Sequence, residues 1–193
     1  MPYLLRMRTL LRPAAAALVL FASLAATGCT PGPAKPHTTA PSSTPLFASD
    51  EEALAAAEEA YAAYVALNDE VYGDGGAEAE RLAEVSTNPQ LEADVSGMRD
   101  IALLGYHSTG KTTFDNLRLQ QYDSSELDGK GIVIAYLCQD VSGVEVFDQS
   151  GQSVVLPTRP DRTEFQVTFD RADEEAGHAL IVSNRNPWSD QPC

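Results

Sequence analysis

Residues 131–141, GIVIAYLCQDV, decide the fold. From Ile132 to Cys138 the run is apolar at odd and even positions alike. That is the pattern of a central strand covered on both faces. On either side of it the chain alternates with a period of two. Residues 113–122 place Leu117 and Leu119 on one face, and 144–149, 163–170 and 179–184 read as three more strands. The clearest of these carries Phe165, Val167 and Phe169. The links Ser142-Gly143 and Gln149-Ser150-Gly151 are hairpin-sized, so the sequence predicts an antiparallel meander.

Upstream of Gly105 the period is that of a helix. Ser49-Asp50-Glu51-Glu52 forms a capping box, with three acids at the positive end of a helix dipole. Behind it Leu54, Ala57, Tyr61, Tyr64, Val65, Asn68 and Tyr72 recur at three- and four-residue spacings. Gly73-Asp74-Gly75-Gly76 stops that helix. A shorter helical stretch follows at 77–85, and Asn88-Pro89 opens another to about 103, with Leu91, Val95, Met98 and Ala102 on one side. Helices first and strands after predict one α+β domain over 46–193, its helices on one face of an antiparallel sheet.

The N-terminal segment has a different character. Arg6, Arg8 and Arg12 precede an apolar run from Ala14 to Ala26, and Thr27-Gly28 supplies small residues before Cys29. Charge, short apolar core and small-residue site make residues 1–28 a secretory signal peptide. The run falls short of the ~20 residues that span a membrane. Residues 30–45, TPGPAKPHTTAPSSTP, have nothing to bury and form a tether in which His37 lacks any neighbouring ligand type. Ala26-Thr27-Gly28-Cys29 resembles the lipobox of bacterial lipoproteins, with Ala26 where that family favours Leu. The resemblance implies a diacylglycerol on Cys29, an anchor strong enough to be stable, and a site on the outer face of the cytoplasmic membrane.

Cleavage there removes three of the 13 basic residues and none of the 28 acidic ones, so the formal charge moves from −15 to −18. Such a polyanion is a poor partner for nucleic acid or an anionic surface. Cys138 and Cys193 remain as a pair, and in an oxidising compartment a disulfide between them is expected.

One motif has to be weighed against its context. Gly105-Tyr-His-Ser-Thr-Gly110-Lys111-Thr112 matches the phosphate-cradling pattern G-x-x-x-x-G-K-[ST]. The chemistry requires a strand before the loop and a helix after it. Here a helical pattern precedes Gly105 and an alternating one follows Thr112, so nucleotide binding is rejected.

The order of one long helix, two shorter ones and a curved antiparallel sheet resembles the NTF2-like (cystatin-like) cone. More narrowly, the segments PLFASDEEALAAAEEAYAAY (45–64), TTFDNLRLQQY (112–122), YLCQDVSGVEVFDQSG (136–151) and RPDR (159–162), with Trp188 and Cys193, are similar to small lipoproteins of high-GC Gram-positive bacteria (actinobacteria). That similarity brings no activity with it, and the wider fold serves many functions.

The cone implies a pocket between its long helix and the sheet. Tyr61, Tyr64, Tyr136 and Trp188 are the candidates to line it, although their spacing also fits plain core filling. The leading expectation is a non-enzymatic module that binds a small apolar ligand or an envelope protein. The alternative is an isomerase- or cyclase-type enzyme with Asp140 as base, His107 assisting. Asp140 equally fits a residue that ends its strand and holds the Ser142-Gly143 turn. Arg159-Pro160-Asp161-Arg162 is a charged turn and a candidate partner contact. The sequence carries no zinc signature, serine-hydrolase elbow or C-x-x-C pair, and no cofactor is expected.

Overall fold

The computed structural model describes residues 45–193 apart from 124, 126–127, 174–176 and 189–192. The signal peptide, Cys29 and the tether through residue 44 lie outside the described residues.

Helix α1 spans Asp50–Gly73. Ser49 Oγ accepts the Glu52 N–H at 3.2 Å, and the Glu52 carboxylate accepts the N–H of Ala48 at 2.8 Å. The capping box therefore closes one residue further out than its usual form. Phe47 pins the approach to the helix. It is buried, and its N–H and C=O both bond the Tyr122 hydroxyl, at 2.8 and 2.9 Å. The buried stripe of α1 runs through Ala53, Ala57, Ala60, Tyr61, Tyr64, Val65, Leu67 and Val71, while Leu54, Asn68 and Tyr72 sit at its margin. Small alanines at the head of this stripe let α1 lie close on the sheet.

The stretch expected at 77–85 is a 3-10 helix, Ala79–Glu84, with Ala79 and Leu82 buried. Helix α2, Gln90–Leu104, starts without a side-chain cap. Of its expected apolar side only Met98 is buried; Leu91 and Val95 are half-buried and Ala102 is exposed.

The strands are β1 (His107–Thr109), β2 (Thr113–Tyr122), β3 (Val133–Asp140), β4 (Glu145–Phe147), β5 (Arg162–Arg171) and β6 (Leu180–Pro187). Four of them form an antiparallel sheet in the order β2-β3-β5-β6, so β3 is central. The simple meander does not hold. At Ser142-Gly143 the chain turns off the sheet, with Val144 N–H bonded to Val141 O at 2.9 Å, and β4 pairs with β1 in a separate two-stranded ribbon. Strand β1 is too short to show any alternation, which is why the sequence hid it.

The helices cover one face of the sheet only. Val133, Ala135 and Leu137 of β3 are buried against them with Val167 and Phe169 of β5 and Leu180 and Val182 of β6. On the other face Ile134 and Tyr136 are half-buried, which corrects the expectation of two covered faces. Cys138 is buried there and joined by a disulfide to Cys193, their Cα atoms 5.9 Å apart.

Three register slips, two in β2 and one in β6, set which side chains face the helices. In β2 Asn116 takes φ 54°, and the register slips between Asp115 and Arg118. Phe114 and Leu117, three apart, thereby reach the same core as Leu119. In β6 the register slips beside Thr168/Phe169, so Val182 and Arg185 share the helix-facing side although their separation is odd.

Candidate functional site

A cleft of about 360 Å³ opens between α1 and the end of the sheet where β3 leaves for β4. Its α1 wall is Tyr64, Val65, Asn68, Asp69 and Tyr72. Met98 of α2 closes one side, and Val141, Val144 and Val146 close the other. Gln139, Arg185, Arg159 and Thr112 supply polar groups.

Gln139 is the pivot of this end. It occupies the helix-facing phase of β3 after Val133, Ala135 and Leu137, so alternation alone turns it inward. Its Oε1 accepts two bonds, from the Tyr61 hydroxyl at 2.8 Å and from Arg185 Nη1 at 2.9 Å. The Arg185 guanidinium lies 4.3 Å from the Phe165 ring centroid and 5.9 Å from that of Tyr64. Such cation–π placement contributes about 0.5–2 kcal/mol, more when desolvated. Arg185 Nε is buried without an acceptor among the described residues.

A second network backs the first. The Tyr64 hydroxyl donates to Asp94 Oδ1 at 3.0 Å, and Gln90 Nε2 donates to the same oxygen at 2.7 Å and to Tyr64 Oη at 3.1 Å. Asp94 Oδ2 is buried with no partner among the described residues. Burial raises the Asp94 pKa against the opposing pull of Gln90, Tyr64 and Arg185. Burial likewise pushes the Tyr61 hydroxyl up to about 12 and raises that of Tyr64, so both stay protonated donors at neutral pH.

The four aromatic candidates do not converge. Tyr61 is fully buried, edge-on to Phe114 at 5.0 Å, and fills the core. Tyr64 lines the cleft. Tyr136 has the even phase of β3 and points to the opposite face, where its ring lies 4.8 Å from that of Trp188 with the Arg118 guanidinium 4.8 Å away. The sheet therefore stands between the two pairs.

Asp140 is likewise on the far face. It accepts the Ser142 N–H at 2.8 Å and pairs with Arg162 Nη1 at 2.8 Å. Those bonds, Ser142 first and Arg162 after it, lower its pKa to about 2. This corrects its candidacy as a base: a carboxylate held that far down is a feeble proton acceptor at neutral pH. His107 is exposed on β1, its ring 5.8 Å from that of Phe147, and makes no hydrogen bond to Asp140 among the described residues. The charged turn divides rather than forming one patch. Arg159 turns into the cleft, donating Nη2 to Val141 O at 2.9 Å, while Arg162 joins Asp115 and Asp140 outside.

Gly105, Gly110 and Thr112 of the 105–112 motif each have a local role in the fold. Gly105 caps α2 in the left-handed region at φ 66°. Gly110, at φ 90°, passes so near the β3–β4 turn that a Cβ would lie 1.9 Å from Gly143 O. Lys111 is exposed, and Thr112 gives both its N–H and its hydroxyl to the Asp69 carboxylate at 2.7 Å. A helix precedes this loop and strand β2 follows it, the reverse of a phosphate cradle. Among the described residues no group of three or more His, Cys, Asp or Glu is placed to hold a metal, and no helix is long and apolar enough to cross a membrane.

Sequence reasoning missed Arg185, Asp94 and Gln139, and met Arg159 only as part of a turn. Strict alternation along β6 from Val182 puts Asn184 and Asn186 inward; the bulge puts Arg185 there instead.

Neither the family models nor the curated proteins compared with the chain give a match. Solved structures similar to it include the intermembrane space region of the chloroplast protein ARC6, at 14% identity over 69% of this chain and 95% of that one, with a TM-score of 0.49. Aln2 from a Streptomyces species aligns at 20% identity over 71% of this chain and 89% of that one, TM-score 0.40. A protein from Catenulispora acidiphila aligns at 17% identity over 69% and 91%, TM-score 0.42.

Proposed function

We propose that the chain is an exported, lipid-anchored module of the actinobacterial lipoprotein group that binds a small ligand without transforming it. In this reading residues 1–28 are removed, Cys29 carries the lipid, and residues 29–45 tether an NTF2-like cone to the outer face of the cytoplasmic membrane. The order of arginines, apolar run and small residues before Cys29 supports export and acylation. The long helix lying across one sheet face, with a cleft at the end of both, supports the cone.

The observation that carries the binding reading is the cleft itself. It has apolar walls and a few convergent polar groups, and its size falls at the low end of the ~300–1,000 Å³ usual for small-molecule sites. The isomerase- or cyclase-type alternative retains one observation, the raised pKa of Asp94 beside the Tyr64 hydroxyl. Its remaining oxygen is enclosed, so a substrate has no access to a base there.

Intact mass of the protein recovered from membranes tests the export half. The expected mass is residues 29–193 plus diacylglycerol, gaining two hydrogens on reduction. A mass equal to the uncleaved, reduced chain overturns it.

A further inference from the structure

We infer that the cleft takes a single-chain amphiphilic carboxylate, its head between Arg185 and Arg159 and its tail in the apolar groove that continues past Arg159. The inference rests on the binding reading above and names the ligand class for the same site.

The head group follows from the charge balance. In a chain of formal charge −15, two guanidinium groups line one small cleft. None of the ion pairs among the described residues includes Arg185, and that of Arg159 is long, 3.8 Å to Asp161. Each guanidinium gives one Nη to a neutral oxygen, Arg185 to Gln139 Oε1 and Arg159 to Val141 O. That leaves Arg185 Nη2 and Arg159 Nη1 without an acceptor among the described residues. Neither is among the fully enclosed unpartnered atoms. Of the nearby carboxylates, Asp69 holds Thr112 and Asp94 Oδ1 holds Tyr64 and Gln90; Asp94 Oδ2 is enclosed and, although its charge is felt by Arg185, forms no ion pair with it. Sheltered cations with spare donors are completed by an incoming anion, and a carboxylate brings two oxygens, one for each free Nη.

The tail follows from what adjoins the cleft. A second, apolar groove of about 520 Å³ shares Tyr72, Val146 and Arg159 with it. Leu104 and Leu156 on its walls are 56% and 69% exposed, unusual for leucine on so acidic a surface. Arg159 thus stands where charged cleft meets apolar groove. A ligand lying across this junction needs both characters in one molecule, charge at one end and hydrocarbon at the other.

The test titrates the mature chain, residues 29–193 with Cys29→Ser so that no acyl chain of its own competes, by calorimetry. The probes are octanoate, decanoate and dodecanoate below their micelle concentrations, with dodecanol as the uncharged control. Saturable one-to-one binding of dodecanoate is expected, with affinity rising about three- to fourfold per added methylene. Dodecanol and the Arg159→Gln variant should each cost about tenfold or more, and Leu156→Ser should flatten the chain-length dependence. Arg185→Gln should act like Arg159→Gln, but Arg185 also packs on Phe165, so Arg159 and Leu156 decide if it folds poorly. Equal binding of dodecanol and dodecanoate overturns the head assignment. No binding of any amphiphile, with small fragments still shifting the methyl resonances of Val144 and Met98, overturns the inference and leaves the binding reading intact. Silence from amphiphiles and fragments alike overturns both.

Discussion

Two aspartates show how little residue type says about residue chemistry. Asp140 accepts bonds from Ser142 and Arg162 at a strand end, and its pKa falls to about 2. Asp94 is withdrawn from water with one oxygen unpaired, and its pKa rises. The consequences for stability have opposite signs. A depressed carboxylate adds stability above the unfolded pKa of about 4 and loses it as pH falls towards 2. A raised one penalises the fold once pH climbs past its unfolded value, because the native state holds the proton to higher pH. Urea midpoints measured from pH 2 to 7 should therefore show Asp140→Asn below the parent at neutral pH and Asp94→Asn above it. Both differences should shrink in acid, and a gap that stays constant with pH would contradict the assignment. The turn-holding role of Asp140 is legible in the sequence, and the Ser142 N–H bond forms it. The burial of Asp94 is not legible there, since Tyr64, 30 residues away, meets it only in three dimensions.

At the level of elements, legibility tracks locality. The start of α1 is encoded in four consecutive residues, and the structure forms it there. Ser49→Ala should cost about 1 kcal/mol, measurable as a lowered urea midpoint with unchanged slope, because it strands the Glu52 N–H. The glycine-ended α2 and the apolar β3 were equally plain. Strand partners were not, because pairing joins residues dozens of positions apart. Nothing in Glu145–Phe147 says that it leaves the sheet to join His107–Thr109. Bulges matter most here, for one extra residue reverses every inward and outward assignment beyond it. That reversal aims Arg185 at the helices and gives the cleft its charge. A site built on such a parity change is invisible to any reading that counts by twos.

For the whole molecule, the helix-covered face holds the core and the cleft, whereas the open face holds an ion-paired and aromatic surface braced by the disulfide. Cys138 and Cys193 are 55 residues apart, and closing a loop of that length restricts the unfolded chain. Replacing both with serine should lower the unfolding free energy by about 2–4 kcal/mol, read by urea denaturation against the oxidised parent. A loss of similar size on adding reductant to the parent alone would tie the effect to the bond and not to the packing of serine. The division into faces has one more outcome. Trp188, the protein's single tryptophan, packs at a tilt against Tyr136 behind the sheet. Its fluorescence is a reporter of the open face and is optically blind to the cleft. A flat emission trace during a ligand titration therefore does not count against occupancy of the cleft.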